Sequence, residues 1–247
     1  MDEKPVHELS TNQIARKHFI GVSPISAYEL IEKLGEGTFG EVYKAIYRGM
    51  TVAVKRIIVH NELDGLPITS LREIRILKSL QHPNVVPVVD IAYSQGSSSL
   101  LRRGNTYMVF PYIDHDLAGL MENKSITFSV SQIKLYSKQL LLGTAYLHRN
   151  KILHRDLKAA NLLISNAGQL LIADFGLARS IAPGDKREYT NCVVTRWYRP
   201  PEILLGDRRY GTPVDMWGVG CVIGEMFKGG PILTGNSDVN QCELIFR

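Results

Sequence analysis

The sequence predicts an α+β fold in two lobes, a small N-terminal antiparallel sheet followed by a helical C-terminal lobe. Two observations predict it. Up to residue 112 the chain is written in short runs of β-branched and aromatic residues, punctuated by glycine and polar turn signals. After residue 112 the apolar residues recur at helical spacing instead.

Taken in order, residues 1–27 show no clear periodicity and read as an N-terminal extension. Residues 28–34, 41–47 and 51–58 are strand-like, and the turn signals at 35–40 and Arg48-Gly49 make them a three-stranded meander. A helix is expected from Pro67, because proline's missing N–H has no partner in a first helical turn anyway. Leu71, Ile74, Leu77 and Leu80 recur every three residues and are expected to form its buried stripe. Two further strands are expected at 85–92 and 106–112, around an exposed Ser/Gly/Arg-rich loop at 94–105. In the second lobe, 129–148 carries Ile133, Tyr136, Leu140, Leu141 and Leu147 at helical spacing. The segment Pro213–Lys228 is apolar on most of its faces and is expected to be buried on all sides. No internal repeat is present. The organisation is an extension (1–27), a sheet lobe (28–112) and a helical lobe (113–247).

Composition narrows the function classes. At 247 residues and 45% apolar content the chain can bury a sizeable core. Its cysteines, Cys192, Cys221 and Cys242, are odd in number and never in C-x-x-C spacing, which favours a reducing compartment over a disulfide framework or zinc site. Residues 1–10 lack the apolar stretch of a signal peptide. The most apolar stretch, 214–227, is interrupted by Asp215 and Glu225 and is too short and charged to span a bilayer, so no membrane association is expected. The formal charge of +5 fits a solvated surface or an anion site for phosphate, and no nucleic-acid-binding signature accompanies it.

Four motifs carry chemistry. In Gly35-Glu36-Gly37-Thr38-Phe39-Gly40-Glu41-Val42 the glycines let the backbone approach a polyphosphate with its N–H groups. The pattern alone is unspecific. Because a strand-like segment rather than a helix follows it, a hairpin is expected instead of a dinucleotide-binding turn. In Val52-Ala53-Val54-Lys55 a strand lysine can reach the α- and β-phosphates, with Glu73 of the next helix the carboxylate to hold it. In His154-Arg155-Asp156-Leu157-Lys158-Ala159-Ala160-Asn161, Asp156 can orient an attacking hydroxyl and accept its proton, and Asn161 can hold magnesium. A carboxylate is a weak base at neutral pH, so orientation is its first service. His154 is expected to pack rather than react. The run Asp114-His115-Asp116 is not expected to be a metal site, because adjacent residues rarely converge on one ion. Asp174-Phe175-Gly176 supplies a hard oxygen ligand for magnesium, and Thr195-Arg196-Trp197-Tyr198-Arg199-Pro200-Pro201-Glu202 closes the segment after it.

This ordered set resembles the protein-kinase signature from Tyr28 onward, and Lys158 after the Asp156-Leu157 pair resembles the serine/threonine type. The resemblance implies catalytic roles for Asp156, Lys158, Lys55 and Glu73, and magnesium ligation by Asn161 and Asp174. It implies ATP contacts from Gly35, Glu36, Gly37, Thr38, Phe39, Gly40, Val42, Ala53, Lys55 and Asp116, with Phe110 behind the adenine and a hinge at 111–113 ending in Ile113. More narrowly, Pro67-Ile68-Thr69-Ser70-Leu71-Arg72-Glu73 resembles the cyclin-binding helix of cyclin-dependent kinases. That string is shared by a splicing-linked branch. The segments 116–120, 189–191, 193–202 and 231–235 look more like the transcription-elongation branch, especially its fungal members.

That branch implies a cyclin partner, a nuclear location and phosphorylation of Ser/Thr-Pro sites in the RNA polymerase II C-terminal repeats. The alternatives are the splicing-linked branch and a non-catalytic module that binds cyclin or nucleotide. Phe39 stands where cell-cycle members carry an inhibitory tyrosine, so that form of inhibition is expected to be absent. Thr190 is implied as the activating phosphosite, and Arg72, Arg155 and Arg179 as the cluster that clamps its phosphate. Arg199 is implied to occupy the Val194 carbonyl, which sets a preference for proline after the phosphoacceptor. Arg196 replaces the leucine common at that point. The family's lower lobe continues with further helices, so the resemblance implies a chain cut short after Arg247, with Glu202 lacking its usual arginine.

Overall fold

Side-chain alternation decides which face of the first sheet is core. The computed structural model describes residues 21–37, 40–58, 66–96, 104–181, 188–190 and 193–247. The expectations for residues 1–20, for Thr38 and Phe39, and for most of the 94–105 loop lie outside the described residues. The chain divides into two compact units, one of residues 1–67 and 86–113, the other of 68–85 and 114–247.

The first unit is a six-stranded sheet built from β1 (Val22–Pro24), β2 (Glu29–Gly37), β3 (Gly40–Tyr47), β4 (Met50–Ile57), β5 (Asp90–Tyr93) and β6 (Thr106–Pro111). Its strand order is β1-β5-β6-β4-β3-β2, with only β1 and β5 parallel. Val52 and Val54 face a core of Tyr28, Ala45, Tyr47, Val89, Ala92, Tyr107 and Val109. Ala53 and Lys55, out of phase by one residue, face the other side. Tyr28 stacks on Tyr47 with ring centroids 4.6 Å apart, and its hydroxyl donates to Asp90 Oδ2 at 2.5 Å. Asp90 is fully buried, and its Oδ1 accepts the Ile91 N–H, so this charge is paid for by donors on both oxygens. Burial, and then Asp90, push the Tyr28 hydroxyl well above the usual phenol range. The expected strand at 85–92 is shorter than its apolar run. Val85, Val86, Val88 and Val89 are buried, but only Asp90–Tyr93 pairs as a strand, because an apolar run reports burial and not hydrogen bonding.

The second unit begins with α1 (Ile68–Ser79). Its buried residues are Ser70, Glu73, Ile76 and Leu77, with Leu80 just beyond the helix, a stripe at i, i+3, i+6, i+7 and i+10. This corrects the expected stripe. Nine residues of helix turn the face by about 180°, so a strict period of three cannot keep residues 71 and 80 together. Leu71 is 50% exposed and Ile68 72% exposed.

After β7 (His115–Asp116) and α2 (Leu117–Glu122) comes α3 (Val130–Arg149), opened by a capping box. The Gln132 N–H donates to Ser129 Oγ, and the Ser129 N–H donates to Gln132 Oε1. The stripe of α3 is Ile133, Tyr136, Leu140, Gly143, Thr144 and Leu147, and Leu141, one step round the helix, is 41% exposed against expectation. A Cβ on Gly143 would lie 2.8 Å from Ile172 Cδ1 and 2.9 Å from the Asn84 carbonyl, so glycine sets how closely α3 approaches its neighbours. The strands β8 (Ile152–Leu153), β9 (Leu162–Ile164), β10 (Leu170–Ile172) and β11 (Arg179–Ser180) form two small antiparallel sheets, β10-β9-β7 and β11-β8.

Then follow α4 (Pro201–Leu204), α5 (Pro213–Lys228) and α6 (Asp238–Phe246). Helix α5 has Pro213 at its start and Gly229 left-handed (φ 78°) just past its end. It is not buried on all sides, since Met216 and Phe227 are 43% and 62% exposed. Mean apolarity predicted burial, and the faces of α5 prove unequal. Among the described residues no helix is long and apolar enough to cross a membrane.

Candidate active site

In the first unit, cross-strand register gathers Val42, Ala53, Lys55 and Phe110 on one face. Val42 lies opposite Lys55, Lys55 opposite Met108, and Ala53 opposite Phe110. Directly opposed residues share a face, here the one turned away from the valine core. Gly35, Glu36, Gly37 and Gly40 occupy the β2–β3 end, where Gly37 pairs with Gly40. Gly40 has φ 153°, and a Cβ there would meet the Arg56 carbonyl at 2.1 Å, so only glycine fits. Lys33 binds Glu36 at 2.6 Å and Glu41 at 2.8 Å beside this end. Ile113 is buried at the boundary of this unit.

In the second unit Asp156, Lys158 and Asn161 come together. Asp215, in the first turn of α5, is 1% exposed. Its Oδ1 accepts the Arg155 N–H at 2.8 Å, and its Oδ2 accepts the His154 N–H at 3.0 Å and pairs with His148 Nε2 at 2.8 Å. The carboxylate thus fixes the backbone just before Asp156, where Arg155 is left-handed (φ 68°). A helix N-terminus favours the negative charge. Helix α5 can approach so closely because of Gly218, whose Cβ would lie 2.8 Å from the Leu157 carbonyl.

Four donors hold the Asp156 carboxylate. Thr195 N–H and Oγ donate to Oδ1 at 3.2 and 3.0 Å. Asn161 Nδ2 and Lys158 Nζ approach Oδ2 at 3.0 and 2.9 Å. Lys158 also donates to Thr195 Oγ at 2.9 Å. Asn161 Nδ2 further donates to the Asp156 carbonyl, which leaves the amide oxygen as the end suited to a hard cation. The Ala173 N–H donates to the Asn161 carbonyl at 2.9 Å, tying the candidate catalytic loop, residues 154–161, to the residue before Asp174. His154 is fully buried, sits edge-on to Phe175 at 4.9 Å and contacts the Ala173 carbonyl through Nε2 at 2.9 Å, the packing role expected of it.

The three arginines come from α1, the catalytic loop and β11. Arg155 donates through Nε to the Leu177 carbonyl and through Nη1 to the Tyr210 hydroxyl, and Tyr210 in turn donates to the Thr190 carbonyl at 2.7 Å. Arg72 Nη1 and Arg155 Nη2 are buried without a hydrogen-bond partner. Burial, then the Arg155 and Arg72 guanidiniums, push Arg179 down to about 10. Unmatched donors around mutually repelling cations are the chemistry of an anion site.

Glu73 lies on the buried face of α1 and Lys55 on β4, in different units. Asp116 caps α2, accepting the Gly119 N–H at 2.8 Å. Asp114 accepts the Asn166 N–H and His115 pairs with the Asn166 side chain, while Asp116 turns to Gly119. Among the described residues no group of three or more His, Cys, Asp and Glu side chains is arranged to hold a metal ion. Sequence reasoning missed Thr195 and the organising role of Asp215. The signal for Asp215 was present, an acid in the first turn of a largely apolar helix. Thr195 is 39 residues from Asp156 with no local mark.

The protein kinase domain model matches residues 28–247. The chain is 55% identical, over all of its length and 44% of the relative's, to a probable cyclin-dependent kinase 9 of Schizosaccharomyces pombe. It is 58% identical to the serine/threonine-protein kinase bur1 of Emericella nidulans, over 92% of this chain and 44% of that one. It is 50% identical to human cyclin-dependent kinase 9, over 90% of this chain and 61% of that one. The chain therefore spans about half the length of these curated relatives. With the kinase motifs in order and the catalytic loop assembled around Asp156, the chain belongs to the protein kinase domain family, and its similarity within that family is to the cyclin-dependent kinase 9 and bur1 serine/threonine kinases.

Proposed function

We propose that this chain is the catalytic region of a cyclin-dependent serine/threonine kinase that moves the γ-phosphoryl group of ATP to Ser/Thr-Pro sites. Its substrates on this reading are the RNA polymerase II C-terminal repeats during transcription elongation in the nucleus. The observation that carries the reading is the four-donor hold on Asp156. A carboxylate so fixed loses little entropy in orienting a substrate hydroxyl, and most of phosphoryl-transfer catalysis is positioning and charge stabilisation.

Within that reading each residue has a task. Asp156 aligns the hydroxyl and accepts its proton late in the transfer. Lys158, already beside Asp156 and Thr195, places positive charge where the transferred group passes. Lys55 contacts the α- and β-phosphates. Gly35, Gly37 and Gly40 give backbone N–H groups room to approach them. Asn161 and Asp174 fit magnesium, since both offer hard oxygen donors and the Asn161 amide nitrogen is already committed to Asp156. Bound magnesium would neutralise phosphate charge. Thr190, phosphorylated, would satisfy the unpartnered Arg72 and Arg155 nitrogens and relieve the repulsion at Arg179. Exposed Ile68 and Leu71 on α1 offer cyclin an apolar face. Arg199 donates to the Val194 carbonyl through Nη2 at 3.1 Å, which favours a proline that brings no N–H to that place.

The test is radiolabelled phosphate transfer from ATP to a serine-proline repeat peptide by the chain co-expressed with a cyclin. Transfer is expected, and Asp156→Asn should reduce it at least a hundredfold. Transfer that survives that substitution undiminished would sink the assignment.

A further inference from the structure

The carbonyl of Val194 is held by Arg199, and Arg199 is itself held. Val194 is left-handed (φ 63°), a conformation that is costly for a β-branched residue and turns its carbonyl out of the usual strand direction. Arg199 reaches that carbonyl with Nε at 3.4 Å and Nη2 at 3.1 Å, and touches the Val193 carbonyl with Nε at 3.2 Å. Its remaining nitrogen, Nη1, lies 3.1 Å from both oxygens of Asp238, in the first turn of α6. The same carboxylate takes Arg196 Nε at 3.0 Å, and Arg196 Nη1 donates to the Asn236 carbonyl at 3.0 Å. One acid therefore bridges two arginines, one of which stands where the wider family carries leucine.

We propose that Asp238 is a positioning residue for substrate selection, acting through Arg199. The inference rests on the Ser/Thr-Pro reading given above. An arginine with a long, rotatable stem does not stay over one carbonyl unaided. Asp238 fixes the guanidinium from the far side, so the Val194 carbonyl stays occupied. A residue after the phosphoacceptor that brings an N–H then finds no acceptor there, while proline loses nothing. Arg196 competes for Asp238 Oδ1 and so weakens the hold. The side chain of Asp238 is 53% exposed, and Ser237 rather than Asp238 caps α6, so replacing Asp238 leaves the helix start intact.

The experiment compares kcat/KM on two peptides differing only in Ser-Pro against Ser-Ala, with the chain co-expressed with a cyclin. The ratio cancels differences in cyclin occupancy and active fraction. Asp238→Ala should lower the Pro/Ala ratio at least fivefold, mainly by raising kcat/KM on the Ser-Ala peptide. Asp238→Glu should restore most of the ratio, and Arg196→Leu should keep or raise it. Melting temperatures close to the parent's show that the fold is kept. A clear proline preference in the parent, with the ratio unchanged or both peptides losing equally in Asp238→Ala, overturns the proposal alone. A parent that prefers neither peptide, or phosphorylates neither, overturns the Ser/Thr-Pro reading and this proposal with it.

Discussion

Replacing Asp215 by asparagine takes one acceptor oxygen from a carboxylate that serves three donors. The backbone N–H of Arg155 approaches Oδ1, while the N–H of His154 and the imidazole of His148 approach Oδ2. An amide can present its oxygen to only one side, so an NH2 group then faces at least one buried backbone N–H. Leaving such a donor unsatisfied costs about 1–3 kcal/mol. The bonds that remain drop from charge-assisted to neutral, roughly halving their strength. Together these give a loss of about 3 kcal/mol, which for a chain of this size lowers the melting temperature by roughly 6–12 °C. The damage should be local first, since Arg155 is held in a left-handed conformation by those bonds. A thermal scan measures the first quantity and amide hydrogen exchange across residues 152–158 the second. A melting temperature within about 2 °C of the parent, with protection of 152–158 unchanged, would refute the role given to Asp215.

Three further outcomes are expected. Gly218→Ala puts a methyl 2.8 Å from the Leu157 carbonyl and should displace the catalytic loop, cutting peptide phosphorylation by about tenfold or more; steady-state kinetics check it, and unaltered kcat would contradict the packing argument. Thr190→Ala should cut specific activity strongly and leave the melting temperature within about 1 °C, whereas equal specific activity would remove Thr190 from the switch. Glu225 is 1% exposed, and burial raises its carboxyl above the ordinary 4.5 despite the Tyr198 hydroxyl that donates to it at 2.7 Å. Below the unfolded value both states are protonated; as pH rises past it, the unfolded chain releases the proton first, and stability falls until the raised folded value is passed. Glu225→Gln should therefore remove part of that fall as pH rises above the ordinary 4.5, measured as denaturation midpoints, and a pH profile identical to the parent's would show that Glu225 does not cause it.

The fold was legible wherever local chemistry and tertiary packing agree. The apolar segment 213–228 matches α5 to the residue, with Pro213 at its start and Gly229 after its end, and the turn signals marked β3 and β4 to within one residue. It was less legible where apolarity stood in for geometry. Leu71, Leu141 and Phe227 were all expected inside and all lie on exposed faces. In α1 the buried stripe opens on two polar residues, Ser70 and Glu73, so a search for apolar residues began the count in the wrong place. The site divides the same way. Asp156, Lys158, Asn161 and Arg155 sit in one short motif and were found together. Asp215 and Thr195 reach that motif from 60 and 39 residues away, and Asp238 reaches Arg199 from 39 residues away, so the spacing within the motif carries no trace of such approaches.

The backbone shows why these distant groups matter. Among the described residues, five non-glycine positions have positive φ, and three of them, Arg155, Asp174 and Val194, lie in the segments that carry the chemistry. Each such conformation costs on the order of 1–3 kcal/mol and persists only where its surroundings over-determine it. Arg155 is held by Asp215 through its own N–H. Val194 is held by Arg199 through its carbonyl, with Asp238 behind. Asp174 sits between Ala173, whose N–H and carbonyl engage Asn161 and His154, and Phe175, which packs against His154. In two of the three cases the restraint traces to an acid in the first turn of a helix, Asp215 on α5 and Asp238 on α6. Helices α5 and α6 are thus part of the candidate site's geometry. A substitution that loosens either acid should change how the chain handles its substrate before it changes whether the chain folds.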